Sequence, residues 1–288
     1  MLPDDWHLTH DVDDFLARAG GFLRSRPALH NTPLTDIEKL RLRGAARQDG
    51  DAPSFGRLES GSDVRAVFHL TPHGRLGLTA LSAGQADALA AHLAGLGHSP
   101  AHVIADRDTA AAFADSWQRH TGAVPVPFWR THLYRLGTLT PPLPRPDGQG
   151  RSAGREDHEQ VVCWCREFCV DVGEQRSIDL IDAGSWGDSR FGDRHFTLWE
   201  TPDGTPVSMA AATSVIGGMV RVDPVYTPAR LRGRGYAGAV TVEASRAALA
   251  AGATEVVLFT DPDNPTSNAL YQRLGYVHLA DFAGYRFT

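Results

Sequence analysis

The amino-acid sequence predicts an α/β protein in which one arrangement of helices and strands is used twice. Three observations lead there. Helical and strand periodicities follow one another as two helices, three strands, helix, strand, helix, strand, and the same order then returns. Between the copies lies Thr138 to Gly150, rich in Pro141, Pro142, Pro144, Pro146, Gly148 and Gly150, a composition that reads as a linker. The chain, at 288 residues, is long enough for two domains that each bury a core. The expected division is a first domain over 1–138, a linker over 139–150 and a second domain over 151–288.

In the first copy, Phe15, Ala19, Phe22 and Leu23, then Leu34, Ile37, Leu40 and Leu42, recur at helical spacing and predict helices over 12–23 and 33–46. Phe55 to Leu58, Val64 to Leu70 and Leu76 to Leu81 read as short strands broken by Gly, Ser, Pro and His-Gly turns. A helix over 83–96, a strand over 102–105, a helix over 109–120 and a strand over 128–136 complete it. The second copy opens with a helix over 157–172 and an irregular one over 178–183. Strands over 195–200 and 206–213 follow, joined by a Pro202-Asp203-Gly204 turn. A strand over 219–227, a helix over 237–251, a strand over 255–260 and a helix over 265–274 come next, and strands over 276–279 and 285–287 close the sheet.

The most informative stretch joins the strand ending at Thr227 to the Ala-rich helix after it: Val225-Tyr226-Thr227-Pro228-Ala229-Arg230-Leu231-Arg232-Gly233-Arg234-Gly235-Tyr236-Ala237. Gly233 and Gly235 lack the Cβ atoms that keep a ligand off the backbone, so successive N–H groups can point outward together. The helix behind them adds unpaired amides and the positive end of its dipole, and Arg230, Arg232 and Arg234 add full charge. On the residues alone this is either a pyrophosphate nest or an ordinary strand-to-helix turn. No Gly-Lys-Ser/Thr closes it as a Walker loop, and the acidic residue about twenty positions on, Glu255, stands before a strand and not at its end as in a dinucleotide-binding unit.

Arg232-Gly233-Arg234-Gly235-Tyr236-Ala237 resembles the Arg/Gln-x-x-Gly-x-Gly/Ala loop of the GNAT acetyltransferase superfamily, which binds the pyrophosphate of acetyl-coenzyme A. Asn264, Ser267, Tyr271, Gly275 and Tyr276 are similarly spaced to a second stretch of that family. The resemblance implies two GNAT-like domains in tandem, each a mixed, mostly antiparallel sheet flanked by helices. It implies that Asn264 and Ser267 meet coenzyme A, that the main chain of Val225, Tyr226 and Thr227 pairs with the pantetheine arm, and that Tyr271 is the general acid. A phenol with a pKa of about 10 holds its proton at neutral pH and can give it to a thiolate. On its own pattern Tyr271 is equally a core aromatic beside Leu270 and Leu274, and Asn264 equally a helix N-cap before Pro265. In the first copy the matching loop, Leu81-Ser82-Ala83-Gly84-Gln85, has one glycine and no arginine. That half reads as a degenerate copy.

A base for the acceptor amine would be a carboxylate or a water chain. Asp223 lies two residues from the expected carbonyl-polarising N–H at Val225, and Asp171, Glu174 and Glu200 are further carboxylates placed to meet substrate, with Trp186 and Trp199 as pocket aromatics. The expected activity is acetyl transfer from acetyl-CoA to a primary amine of a small molecule in a ternary complex. Coenzyme binding without catalysis, and use of a longer acyl-CoA, are the alternatives.

The net charge of −6 argues against a general nucleic-acid or membrane binder and mildly favours a small cationic acceptor. The N-terminus lacks the apolar core of a signal peptide, and no run approaches the roughly 20 apolar residues of a membrane span, so a cytoplasmic location is expected. Cys163, Cys165 and Cys169 lack the partner spacing of a zinc site, so no metal is expected. On a helix, Cys165 and Cys169 share the face of Val162 and Val172 and read as small core residues.

Overall fold

In the computed structural model, which describes residues 5–43 and 52–288, both halves of the chain run through the same ten elements in the same order. The first half is β1 (Asp5–Thr9), α1 (Val12–Ser25), α2 (Asn31–Arg43), β2 (Ser54–Ser60), β3 (Asp63–Leu70), β4 (Arg75–Leu78), α3 (Ala83–Gly95), β5 (His102–Asp106), α4 (Arg107–Thr121) and β6 (Pro125–Leu136). The second is β7 (Gln149–Ser152), α5 (His158–Val172), α6 (Gln175–Asp182), β8 (His195–Glu200), β9 (Pro206–Ala212), β10 (Met219–Tyr226), α7 (Tyr236–Ala250), β11 (Glu255–Thr260), α8 (Pro265–Arg273) and β12 (Tyr276–Phe287). Residues 44–46 of the helix expected over 33–46 lie outside the described residues. Each copy opens on a strand that the sequence pattern hides. β1 is only five residues long, with Trp6 and Leu8 alternating with polar neighbours, and β7 has no apolar residue at all; both pair antiparallel, with β2 and β8. None of the described helices is long and apolar enough to cross a membrane.

The chain forms two compact units, Met1–Leu133 with Thr260–Asp263 and His278–Thr288, and Tyr134–Phe259 with Asn264–Val277. A second domain running unbroken to residue 288 therefore differs from the observed division. The cause is strand pairing: Phe282–Arg286 runs antiparallel to β5, from Phe282↔Asp106 to Arg286↔His102. That pairing also carries β12 through residues 280–284, where the sequence pattern breaks between two expected strands.

In the first unit the strand order is β1-β2-β3-β4-β5-β12-β6, with β4 and β5 parallel. Phe68, Leu76, Leu89, Phe113 and Trp117 form its core, with the rings of Phe113 and Trp117 stacked at 5.8 Å. α3 starts on a complete capping box: Ser82 Oγ accepts from the Gln85 amide at 3.3 Å, and Gln85 Oε1 accepts from the Ser82 amide at 3.0 Å.

The second unit has the order β11-β10-β9-β8-β7, with β10 and β11 parallel. One core joins α7 and α8 to the sheet through Val220, Val240, Leu258, Tyr271 and Leu274. Another joins α5 and α6 to it through Trp164, Ile178, Leu198 and Met209. Cys165 and Cys169 are fully buried there, as expected of small core residues. Val172 is exposed instead, because the helix ends at the left-handed Gly173 directly after it.

The proline-rich stretch is docked along the second unit. The Thr140 amide donates to the Leu274 carbonyl at 2.9 Å, and the Trp199 indole N–H donates to the Asp147 carbonyl at 3.1 Å. Trp199 is fully buried, with the Arg145 guanidinium 5.1 Å from its ring centre. This places Trp199 in the core, where it cannot line an acceptor pocket as its sequence position had implied. Trp199→Ala is expected to lower the urea unfolding free energy by about 3–5 kcal/mol, read by circular dichroism. An unchanged midpoint would take Trp199 out of the core.

Candidate active site

The site is built where β10 parts from β11. The two strands pair at Met219↔Glu255, Val220↔Val256 and Arg221↔Val257, and β10 then continues to Tyr226 without pairing to β11. On its other edge β10 stays with β9, at Val222↔Ala212, Val225↔Ala210 and Tyr226↔Met209. Asp223 and Pro224 thus oppose a single residue, and this bulge bends the strand. Proline at that point has no N–H to give a ladder. Val225, next to the bulge, is half-buried.

β10 leads into the Gly-Arg bend. After a single turn of 3₁₀ helix at Ala229–Leu231, Gly233 and Gly235 take φ values of 77° and 83°, left-handed conformations that favour glycine. Gly235 is the N-cap of α7. No side chain caps that helix, and its first turn holds no acidic residue. The first-turn amides, at Tyr236 and Ala237 among others, are left as donors for an anion. Arg230 and Arg234 are exposed and make no hydrogen bond or ion pair among the described residues.

Arg232 has a different task from its neighbours. Its Nε donates to the Thr227 carbonyl at 2.9 Å, its Nη2 pairs with Asp171 at 2.5 Å, and it lies over the Tyr226 ring at 5.9 Å. Asp171 therefore braces the bend through Arg232. The Tyr226 side chain turns toward α5, where its hydroxyl donates to Glu167 at 2.8 Å, so only its main chain is available to the slot. The Thr227 hydroxyl is buried against Ser208 Oγ at 2.8 Å.

On α8, the Asn264 side chain caps the helix by accepting from the Ser267 amide at 3.0 Å. Its carbonyl accepts from the Asn268 backbone amide at 3.1 Å and side-chain amide at 2.8 Å. Helix initiation thus uses both groups of Asn264. Tyr271 is 9% exposed, and its ring meets that of Tyr276 at 6.0 Å and 67°. Its hydroxyl makes no hydrogen bond among the described residues. Burial above all, then the Tyr276 phenol and the charge of Asp223, push its pKa well above the ordinary tyrosine value. The group stays protonated.

Sequence reasoning missed Arg190, which gathers two of the expected carboxylates. Its Nη2 donates to both oxygens of Asp223 at 2.5 Å, and its Nη1 donates to Glu174 at 2.6 Å. Arg194, with its side chain 1% exposed, adds a second charge 4.0 Å from Asp223. Burial pushes the Asp223 carboxyl up, but the charges of Arg190, Arg194 and Arg221 outweigh it and leave the pKa at about 2. Such a carboxylate has little affinity for a proton at neutral pH, which removes the physical ground for Asp223 as a base. Nothing in the local pattern marks Arg190, which sits in an irregular connection and meets its partners only through the fold.

The last two expected residues lie elsewhere in the unit. Glu200 is buried, and Arg151 Nε donates to it at 2.6 Å while the other arm of Arg151 holds Asp157, so Glu200 belongs to a structural ion triad. Trp186 lines a cleft of about 280 Å³ with His158, Phe191, Arg194, His195 and Phe196. This cleft meets the Arg190 cluster through Phe191 and Arg194.

The folded pKa of Asp223 lies below its ordinary value of 3.8, so the residue stabilises the fold above about pH 4, and that contribution is lost as pH falls toward about 2. Asp223→Asn is expected to be less stable than the parent by about 2 kcal/mol at neutral pH in urea unfolding, with the gap closing across that acid window. A gap that does not change with pH would mean another group titrates there.

Residues 164–276 match the family model described as the acetyltransferase (GNAT) family. No curated protein matches the sequence. Among solved structures, the chain is similar to a tandem GNAT protein from the clavulanic acid biosynthesis pathway, at 13% identity and TM-score 0.56 over 98% of each chain. It is similar to a GCN5-related N-acetyltransferase from Sphaerobacter thermophilus, at 16% identity and TM-score 0.56 over 99% of this chain and 96% of that one. A GCN5-related N-acetyltransferase from Kribbella flavida follows at 17% identity and TM-score 0.52, over 88% and 94%. At these identities the likeness is one of fold. Residues 164–276 thus match the GNAT acetyltransferase family, and the fold of the chain is similar to that of a tandem GNAT protein.

Proposed function

We propose that the second unit moves an acetyl group from acetyl-CoA to a primary amine of a small molecule. The observation that carries this is the parting of β10 from β11 directly before the uncapped N-terminus of α7. The residues fit the cosubstrate. A Cβ at Gly233 would meet nothing within 4 Å, so the outer face of the bend is open to a diphosphate. The amides from Gly233 to Ala237, with Arg234 beside them, hold that diphosphate, and Arg232 keeps the bend in shape from within. The main chain of Val225, Tyr226 and Thr227 offers the pantetheine arm the pairing that β11 has given up. Asn264 and Ser267 set the start of α8 and so the height of Tyr271.

Acetyl-CoA supplies the reactive thioester and the thiol leaving group. A backbone N–H near Val225 polarises the acetyl carbonyl. The amine nitrogen bonds to that carbon as the carbon–sulfur bond breaks, the amine proton passes to solvent, and Tyr271 Oη protonates the sulfur. Tyr271 then recovers its proton from solvent. Asp223 and Glu174 hold Arg190 against the bulge, and Asp223 takes no proton itself. In the first half, the capping box of Ser82 and Gln85 already occupies the start of α3, so coenzyme binding is assigned to the second half alone.

Two substitutions separate binding from chemistry. Tyr271→Phe is expected to lower kcat by about 10²-fold or more with acetyl-CoA affinity within about twofold of the parent, by steady-state kinetics and calorimetry; full turnover would remove Tyr271 from the reaction. Gly235→Val, forcing a β-branched residue to positive φ, is expected to weaken acetyl-CoA binding at least about tenfold. Unchanged binding would place the nucleotide elsewhere. An amine panel read by free-thiol release identifies the acceptor. Binding without turnover on any amine, or turnover only with longer acyl-CoAs, would replace this reading with coenzyme sensing or with another acyl transfer.

A further inference from the structure

Three side chains from two distant parts of the sequence meet in the first unit. Asp281 Oδ1, on β12, accepts from His132 Nδ1 of β6 at 2.8 Å and from His278 Nε2 at 2.7 Å. The imidazole rings stand at 90° with centres 4.9 Å apart, and one ligand atom from each residue lies within 4.8 Å of the other two. In a regular strand, residues three apart point to opposite faces. His278 and Asp281 touch all the same, so β12 departs from simple alternation there and brings both to His132. Arg107 Nη1 holds Asp281 Oδ2 at 2.9 Å, which fixes the carboxylate and leaves Oδ1 turned to the rings.

We propose that His132 Nδ1, His278 Nε2 and Asp281 Oδ1 form a binding site for a divalent transition-metal ion, with zinc(II) the best match. Two imidazoles and one carboxylate oxygen suit a borderline ion better than calcium or magnesium, which take oxygen ligands. Zinc bonds of about 2.0–2.2 Å in a tetrahedron set neighbouring ligand atoms roughly 3.3–3.5 Å apart. Opening the present contacts to that spacing needs only small side-chain rotations. The ion takes the place of the two N–H protons now aimed at Oδ1, each neutral imidazole carrying its proton on its other ring nitrogen instead, and water takes the fourth position. Arg107 serves as the carboxylate's outer partner, an arrangement that orients ligands in metal sites, while its positive charge limits affinity. Partial exposure of all three side chains leaves the ion a way in. The bound ion would clamp β6 to β12.

The test uses the full chain, freed of metal with a chelator and titrated with zinc(II) in a calorimeter and with cobalt(II) by visible absorption. One ion per chain, the visible bands of low-coordinate cobalt, and a higher Tm with zinc are expected. His278→Ala, at a side chain 44% exposed, and Asp281→Asn should each weaken binding at least about tenfold and remove the zinc-dependent rise in Tm. Zinc affinity that is equal in the parent and both variants, or a cobalt spectrum without those bands, would overturn the assignment.

Discussion

β10 cannot keep two neighbours along its whole length, and the rest of the second unit follows from that. With Asp223 and Pro224 set against one residue of β9, the strand bends away from β11 after Arg221. A continuous ladder would consume every main-chain donor and acceptor on both edges. Here the final residues of β10 keep one edge unspent, facing a gap that leads to the start of α7. Main-chain geometry makes the slot, so side-chain identity along β10 can serve other ends: Tyr226 packs under α5, and Asp223 anchors a guanidinium.

Arginine forks support this arrangement. Arg190 joins Glu174 to Asp223, Arg151 joins Asp157 to Glu200, and Arg232 joins Asp171 to the Thr227 carbonyl. Lysine, a point charge with no fixed fork, would not span two partners with the same geometry. Asp223 and Asp157, so held, lose basicity to their cations. All four carboxylates that chain position offered as bases or substrate contacts are thus in ion pairs, and the group left with a proton to give is the phenol of Tyr271.

The two halves share an element order and differ at the one turn that matters for an anion. In the second, left-handed glycines and an uncapped helix leave amides pointing outward. In the first, a serine and a glutamine complete the cap themselves. A few residues decide whether the same scaffold offers a nest or a closed end.

Much of the fold was legible in the sequence because periodicity is local: β8 and β11 carry their predicted limits, and the Gly-Arg bend and the Tyr271 motif stand in plain view. The hidden elements are β1, whose alternation is only five residues long, and β7, a strand without apolar residues that is paired with β8. Trp199 and Glu200 looked like pocket residues, since an aromatic and an acid at a strand end carry no mark of burial. The placement of Arg190 between two acids, the meeting of His132 with His278 and Asp281, and the passage of the last strand into the first unit join residues far apart in sequence. The sequence by itself determined which segments are helix or strand and where the anion-binding bend falls, because hydrophobic period and glycine act over a few residues. Tertiary structure alone decided which charges neutralise one another and which proton remains available, because burial and ion pairing are properties of neighbours in space.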